Sequence, residues 1–550
     1  MRRVSTLARG LAQTRFDRSV YQATAPFINS NIGHLKGKHH RFSCIGISSE
    51  GLLNFQHSQS RRHNCAANSR NFSHRTFTAA TNIMGQGVVV DDQGRIVNRN
   101  PATGEVISYV PCTPLDELDK MVANAKEAST SWSAMEPSER IRLLKKGIEN
   151  ISKQSDRLQK MIVQEMGKPL QEAMEEVEGA LDKDEYLKIL ESSLQPQTRG
   201  SSVVVRQPLG TVAVLSPWNF PCDEILFLLL PALGSGNTAI VKPSEVSPET
   251  GAIVVNAIAS ALPKNVVQLA QGDGSVGAHL VKHEGVDMIC MTGSSATGKK
   301  ILESAAPKMK RLVLELGGKD PMVVMEDADL EKAASDAVQY SLSNSGQVCC
   351  SIERVYVANS IYPEFQKLVA KYAADYKVGN GLEEGIKVGP LVSKNQRDIV
   401  ASHVDDALKK GAKLVHKSGI PEDASEDSSF YPVTVLADVT KEMDVNRKET
   451  FGPVVALSPF DGTEEEAIRL ANDTEYGLSG AVYSRDEEKA MRVASRIDAG
   501  QIGINCYAMD NMDVACPWVG HKHSGFGYHS GVEGFNNFSV PKTLVYKPSE

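Results

Sequence analysis

Residues 286–300 read Val286-Asp-Met-Ile-Cys-Met-Thr292-Gly293-Ser294-Ser-Ala-Thr-Gly298-Lys299-Lys300. A short apolar run at 286–291 meets a glycine turn, and a helix-compatible stretch follows. A run of this length bounded by turn residues reads as a buried strand. The same signal occurs upstream at 211–215, 238–241 and 266–269, and just downstream at 311–316. Helix-like stretches such as 248–261 lie between these runs, and 115–134 and 137–167 precede them. Strands alternating with helices predict a parallel sheet covered on both faces. After about residue 320 the pattern starts again: 321–325 and 355–357 read as strands, 330–342 and 362–376 as helices. The expected class is therefore α/β, with two such units in series. Residues 418–429 are acidic and Ser-rich and read as a surface loop.

The chain has 550 residues and a formal charge of −7, which hides an asymmetry. Residues 1–84 hold 12 Arg and Lys against two acids, Asp17 and Glu50, leaving −17 for the rest. An Arg- and Ser-rich, acid-poor N-terminus predicts an organelle transit peptide, mitochondrial first and plastid second. A basic tail for an acidic partner is the competing reading. The longest apolar run, 225–230, stops at Pro231. That is far short of the roughly 18 residues that cross a bilayer, so no membrane insertion is expected. Nine cysteines without a Cys-x-x-Cys pair exclude a disulfide scaffold and disfavour structural zinc. The acidic remainder, with no interleaving of basic and aromatic residues, disfavours nucleic acid as a partner.

Local motifs are individually ambiguous. Gly293 to Lys300 after a strand suits an anion at a helix N-terminus, and suits a plain turn equally. It is no Walker loop, because Lys300 stands where the Mg²⁺-binding Ser or Thr belongs. Gly272-Asp-Gly274-Ser-Val-Gly277 has dinucleotide-loop spacing, with a simple turn as its alternative. Cys349-Cys350 follows Gly346, which permits a sharp turn exposing one thiol, although most cysteines are buried packing residues. Glu315 ends a strand, where it is either solvated or paired. The cluster His521, Lys522, His523, His529 lacks ligand partners, so no metal is expected.

In combination the motifs are far more specific. In order they are Pro217-Trp218-Asn219-Phe-Pro221, Lys242-Pro-Ser-Glu245, Thr292-Gly293-Ser294, Leu314-Glu315-Leu-Gly-Gly-Lys319, Asn344-Ser-Gly-Gln347-Val-Cys349, Arg354, Glu449-Thr-Phe451-Gly-Pro453 and Tyr476-Gly-Leu478. This set resembles the NAD(P)-dependent aldehyde dehydrogenase superfamily over residues 95 to 545, including the 34-residue step from Glu315 to Cys349. The resemblance implies a Rossmann-like cofactor domain (85–189 and 209–317), an α/β catalytic domain (318–530) and a small β flap (190–208 and 531–550). The flap would mediate a homodimer or homotetramer.

The resemblance also implies roles. Cys349 is the expected nucleophile, Asn219 the oxyanion donor and Glu315 the general base. Lys242 and Glu245 are expected at the adenosine ribose, Gly274, Gly293 and Ser294 near the phosphates, and Glu449 at the nicotinamide ribose. Trp218 and Phe451 would flank the cofactor. Glu245 favours NAD over NADP, since a carboxylate repels a 2′-phosphate. The substrate is a small aldehyde whose channel involves Phe220, Glu224, Phe227, Val348, Cys350, Met512 and Trp518. Phe227, where succinic-semialdehyde enzymes carry Arg, points to an uncharged apolar aldehyde; Glu224 leaves a cationic one open. The family commonly reads Pro-Phe-Gly-Gly near the C-terminus, whereas this chain has Pro517-Trp518-Val519-Gly520. Two alternatives remain at this point: a coenzyme A-acylating semialdehyde dehydrogenase, disfavoured by Glu315, and a non-catalytic binding protein on the same scaffold.

Overall fold

The computed structural model describes residues 90–547; the expected transit peptide at 1–84 lies outside them. Two mainly parallel sheets dominate. The first runs Gly525–Phe526, Arg311–Glu315, Met288–Thr292, Thr211–Leu215, Thr238–Lys242, Val267–Leu269. All neighbours are parallel except Gly525–Phe526, which lies antiparallel on Arg311–Glu315. Side chains alternate between two cores. Val212 and Val214 join the helices Pro137–Ser152, Ser155–Met166, Asp223–Gly234 and Pro248–Ala259. Ala213 joins Leu115–Ser133, Gly274–Lys282 and Ser295–Ala305. Covering on both faces explains why these strands read as unbroken apolar runs.

The second sheet runs Lys413–Lys417, Thr434–Ala437, Val454–Phe460, Ile352–Ala358, Asp320–Val324, Ser479–Tyr483, Gln501–Ile504. Only Lys413–Lys417 is antiparallel to its neighbour. Met322, Val324, Val355 and Val357 pack with Leu330–Leu342 and Tyr362–Ala373 on one face. Val323, Tyr356 and Val482 pack with Glu464–Asn472 and Glu487–Ala494 on the other. A third, antiparallel sheet joins Gln197–Arg199, Ser202–Pro208 and Ser539–Val545, so the C-terminal strand pairs with one more than 300 residues earlier.

Two expectations are corrected. The stretch 137–167 is two helices, Pro137–Ser152 and Ser155–Met166, not one. The hydroxyls of Ser152 and Ser155 donate to the carbonyls of Glu149 and Ser152 at 2.8 and 2.7 Å, and such local bonds compete with helix continuation. Gly525–Phe526, expected within the second unit, instead closes the edge of the first sheet. Three bonds anchor it there: Leu316 N–H donates to the Ser524 carbonyl, and the Ser524 hydroxyl accepts from Gly477 N–H and donates to the Gly317 carbonyl.

Arg354 ties the second sheet to its covering helix. It is fully buried and donates to the Lys319, Leu470 and Ala471 carbonyls at 2.8, 3.1 and 2.9 Å, and to the Tyr356 hydroxyl at 3.2 Å. Replacing it by Met strands the Lys319 and Ala471 carbonyls, each costing about 1–3 kcal/mol when buried unpaired, and also removes the bonds to Leu470 and Tyr356. Arg354→Met should therefore lose about 3 kcal/mol or more in urea unfolding; an unchanged midpoint would contradict this account.

Candidate active site

Two turns from different sheets meet at the centre of the molecule. The first follows Arg311–Glu315. Glu315 lies in register with Thr292 on the neighbouring strand, and Gly317-Gly318 come next. A Cβ on Gly318 would collide with the Cys349 carbonyl oxygen, and one on Gly317 with the Glu449 carboxylate. Only bare backbone fits this crossing.

The second turn carries Cys349. After Leu330–Leu342 the chain places Asn344, Ser345 and Gly346 successively in left-handed conformation, with φ of 50°, 58° and 73°. A non-glycine residue there costs on the order of 1–3 kcal/mol. Dense bonding holds the turn. Asn344 N–H donates to Glu172 at 2.8 Å, the Asn344 amide donates to the Asn219 and Gln347 carbonyls, and Ser345 donates to the Gly389 carbonyl at 3.0 Å. Gln347 donates back to the Asn344 carbonyl and accepts from Val392 N–H at 2.8 Å.

Asn219, Glu315 and Cys349 are thereby brought together. Asn219 is buried, and its amide donates to the Gln347 carbonyl at 3.2 Å, two residues before Cys349. The Cys349 thiol is half-buried. Cys350 is buried, and its sulfur and carbonyl both accept from the Tyr507 hydroxyl, at 2.9 and 3.0 Å. The neighbouring Cys350 thiol, then burial and the Glu315 charge, push the Cys349 thiol well up. Burial, then the Glu224 charge, push Glu315 well up. Trp518 donates its indole N–H to Glu315 Oε1 at 3.3 Å, while Oε2 has no hydrogen-bond partner among the described residues. The Glu224 carboxylate accepts from the Thr292 hydroxyl at 2.9 Å, and burial raises it to about 7. Neither bond was anticipated from sequence, although both residues stood out as departures.

The remaining candidates fall at strand ends and along the cleft. Lys242 ends its strand and pairs with Glu245 at 3.0 Å, and Gly277 faces its aliphatic stem. Gly274 opens the helix Gly274–Lys282, capped by Asp273, with nothing within 4 Å of where a Cβ would stand. Gly293 N–H donates to the Glu315 carbonyl, and Ser294 caps Ser295–Ala305. Trp218 and Phe451 meet edge to face at 5.6 Å. Glu449 accepts from Gly318 N–H at 3.3 Å, and burial pushes it up to about 8. Glu353, which sequence reading missed, accepts from the Thr450 and Phe451 N–H groups at 2.8 Å and pairs with buried Lys319. That bonding secures Phe451, itself left-handed at φ 54°. The missed signal was an acid inside the wholly buried strand Ile352–Ala358. This donor set fits a dinucleotide: a helix N-terminus for phosphate, a Lys–Glu pair and a second carboxylate for ribose hydroxyls.

His521 and His523 instead pair with Asp498 and Glu475, each at 2.9 Å. No group of metal-holding side chains and no helix able to cross a membrane occurs among the described residues.

A thiol, a carboxylate and an amide donor thus meet beside a mainly parallel sheet whose ends carry donors that fit a dinucleotide. The family model described as the aldehyde dehydrogenase family matches residues 89–544, and the chain belongs to that family as an NAD(P)-dependent enzyme acting on aldehydes. It is 36% identical to a betaine aldehyde dehydrogenase of Sinorhizobium fredii, over 83% of this chain and 95% of that protein. It is 38% identical to a peroxisomal aminoaldehyde dehydrogenase of Pisum sativum, over 83% and 93%. Among solved structures, aldehyde dehydrogenase C of Pseudomonas syringae, complexed with NAD⁺ and octanal, superposes with a TM-score of 0.78 at 33% identity, over 83% of this chain and 94% of that one.

An environment that disfavours the thiolate has a readable consequence. Iodoacetamide labelling of the Cys349 peptide in the cofactor-free protein should still accelerate above pH 9, beyond the ordinary thiol range near 8.5. A rate that levels off below pH 8 would contradict the geometry.

Proposed function

We propose that the protein oxidises an aldehyde to the free carboxylic acid through covalent catalysis at Cys349, with NAD⁺ preferred over NADP⁺. The observation that carries this is the crossing itself: a half-buried thiol, an amide donor bonded to the same turn, and a buried carboxylate with a free oxygen. The Cys349 proton passes through Glu315 to solvent and the sulfur adds to the aldehyde carbon, moving the carbonyl electron pair onto oxygen. The Asn219 amide and the Cys349 backbone N–H donate to that oxygen. NAD⁺ supplies the acceptor for the hydride that the carbon gives up. Lys242, Glu245, Gly274, Gly293, Ser294 and Glu449 would hold it, with Trp218 and Phe451 alongside. Glu315 then takes a proton from the water that hydrolyses the Cys349 thioester. This reading puts most cofactor contacts on 85–189 and 209–317, Glu449 and Phe451 with the nucleophile on 318–530, and homodimer or homotetramer contacts on the flap at 190–208 and 531–550. The acid-poor leader supports import into mitochondria, or into plastids.

For the substrate we infer an uncharged apolar aldehyde. Phe227 packs on Tyr186 and His529 beneath the Lys183 ammonium, and burial pushes Glu224 up to about 7, towards its neutral form. A cationic aldehyde is the second reading, favoured by the names of the two relatives and by any charge that Glu224 retains.

An aldehyde panel followed by NADH absorbance separates these readings. Aliphatic and aromatic aldehydes should turn over to the free acid, with coenzyme A leaving the product unchanged. Preference for amino- or trimethylammonium aldehydes would select the second reading, and an acyl-coenzyme A product would overturn the hydrolytic one. Asn219→Ala should lower kcat about 10²–10³-fold, the usual loss for one oxyanion donor. Cys349→Ala should abolish turnover; loss on Cys350→Ala alone would reassign the nucleophile.

A further inference from the structure

Glu315 sits where ionisation is opposed from several sides. The residue is 4% exposed. From the helix Asp223–Gly234, Glu224 reaches Thr292, the register neighbour of Glu315, and places a second carboxylate beside it. From the Cys349 turn, Cys350 also disfavours the charge. Two groups work the other way, the Cys349 thiol and the indole of Trp518. Trp518 is the more defined, because an indole N–H can only donate and therefore selects an acceptor oxygen.

The chain fixes this indole like a strut. Trp518 is 7% exposed and pairs across Trp518–Val519 and Tyr528–His529 with His529, a histidine that burial holds neutral at about 4. Between those two short strands the chain turns tightly: a Cβ on Gly520 would collide with the Ser524 carbonyl. Gly525 then pairs with Glu315 itself. The segment that presents the donor thus lies in register with the very residue that receives it, held by the bond from Leu316 N–H to the Ser524 carbonyl.

We propose that Trp518 is the positioning residue of the general base: its N–H holds Glu315 Oε1, leaves Oε2 free, and favours the ionised carboxylate against the neighbouring Glu224. The proposal rests on the reading of Glu315 as base. Phenylalanine, which the family commonly carries at this place, fills much of the same volume and offers no donor.

The test is Trp518→Phe. Losing a donor to the charged form raises the carboxyl pKa, so the acid limb of kcat against pH should move up by about one pH unit. At a fixed pH on that limb kcat should fall about three- to tenfold, with the NADH burst retained because thioester hydrolysis is the slowed step. The melting temperature should change little, which a merely structural role would not predict. An acid limb that stays in place overturns the proposal. Glu315→Gln serves as the control. If it turns over normally, the base reading itself fails; if it stops hydrolysis while Trp518→Phe leaves the pH profile unmoved, only the Trp518 inference fails. Should Trp518→Phe not fold, the wild type still decides. The chain has three tryptophans, so ¹⁵N-indole labelling gives three signals, assigned by single replacement of Trp132 and Trp218. The Trp518 signal should titrate with Glu315 and become flat in Glu315→Gln; a signal already flat in wild type overturns the proposal.

Discussion

The structure depends on one close approach. The backbone after Glu315 passes so near the Cys349 carbonyl that Gly318 has no room for a side chain. Glu315 belongs to the first sheet, while Cys349 lies between a helix and a strand of the second. Neither sheet alone contains both groups. The crossing sets the thiol–carboxylate relation, and the left-handed turn at Asn344–Gly346 sets the direction of the thiol. The bonds from Glu172, Gly389 and Val392 are what hold that strained turn against relaxation.

Charge is handled differently in the structural and the reactive parts of the interior. Lys168 meets Glu176 at 2.5 Å and Lys319 meets Glu353, each pair buried and further hydrogen-bonded, as buried ions require. Glu315, Glu224 and Glu449 have no cation bonded to them among the described residues, and burial pushes all three upward. Uncompensated carboxyl groups of this kind are costly and concentrate where proton transfer or ligand binding uses them. Glu165 and Asp320 are also buried and pushed up without a bonded cation, but each accepts two or more hydrogen bonds, whereas Glu315, Glu224 and Glu449 accept one each among the described residues.

Much of this was legible beforehand. Strands covered by helices on both faces give unbroken apolar runs, so the segments near 211, 238, 288 and 320 were visible and α/β followed. The sequential motifs placed Cys349, Glu315 and Asn219 in one site because their order and spacing are jointly specific. Contacts made by the returning C-terminal segment were not legible. No local periodicity reveals that Gly525 pairs with Glu315, or that an indole 203 residues downstream of the carboxylate reaches its oxygen. Glu353 was hidden for another reason: a buried acid is recognisable as purposeful only once its two backbone donors and Lys319 are seen. The break near residue 154 was lost because helical periodicity outweighs the competing serine bonds when each is judged from sequence.

The antiparallel addition of Gly525–Phe526 has a temporal meaning. Synthesis delivers Glu315 and Cys349 long before residues 518–529, so a growing chain can complete its helices and most of both sheets with the carboxylate still uncovered. Until the late segment docks, the edge of the first sheet stays open beside Glu315 and the reacting pair lies in water. Water weakens the repulsion and removes the orientation that the finished site imposes. Docking of residues 518–529 is therefore what completes the surroundings of Glu315, after the chain that carries both reacting groups has been made.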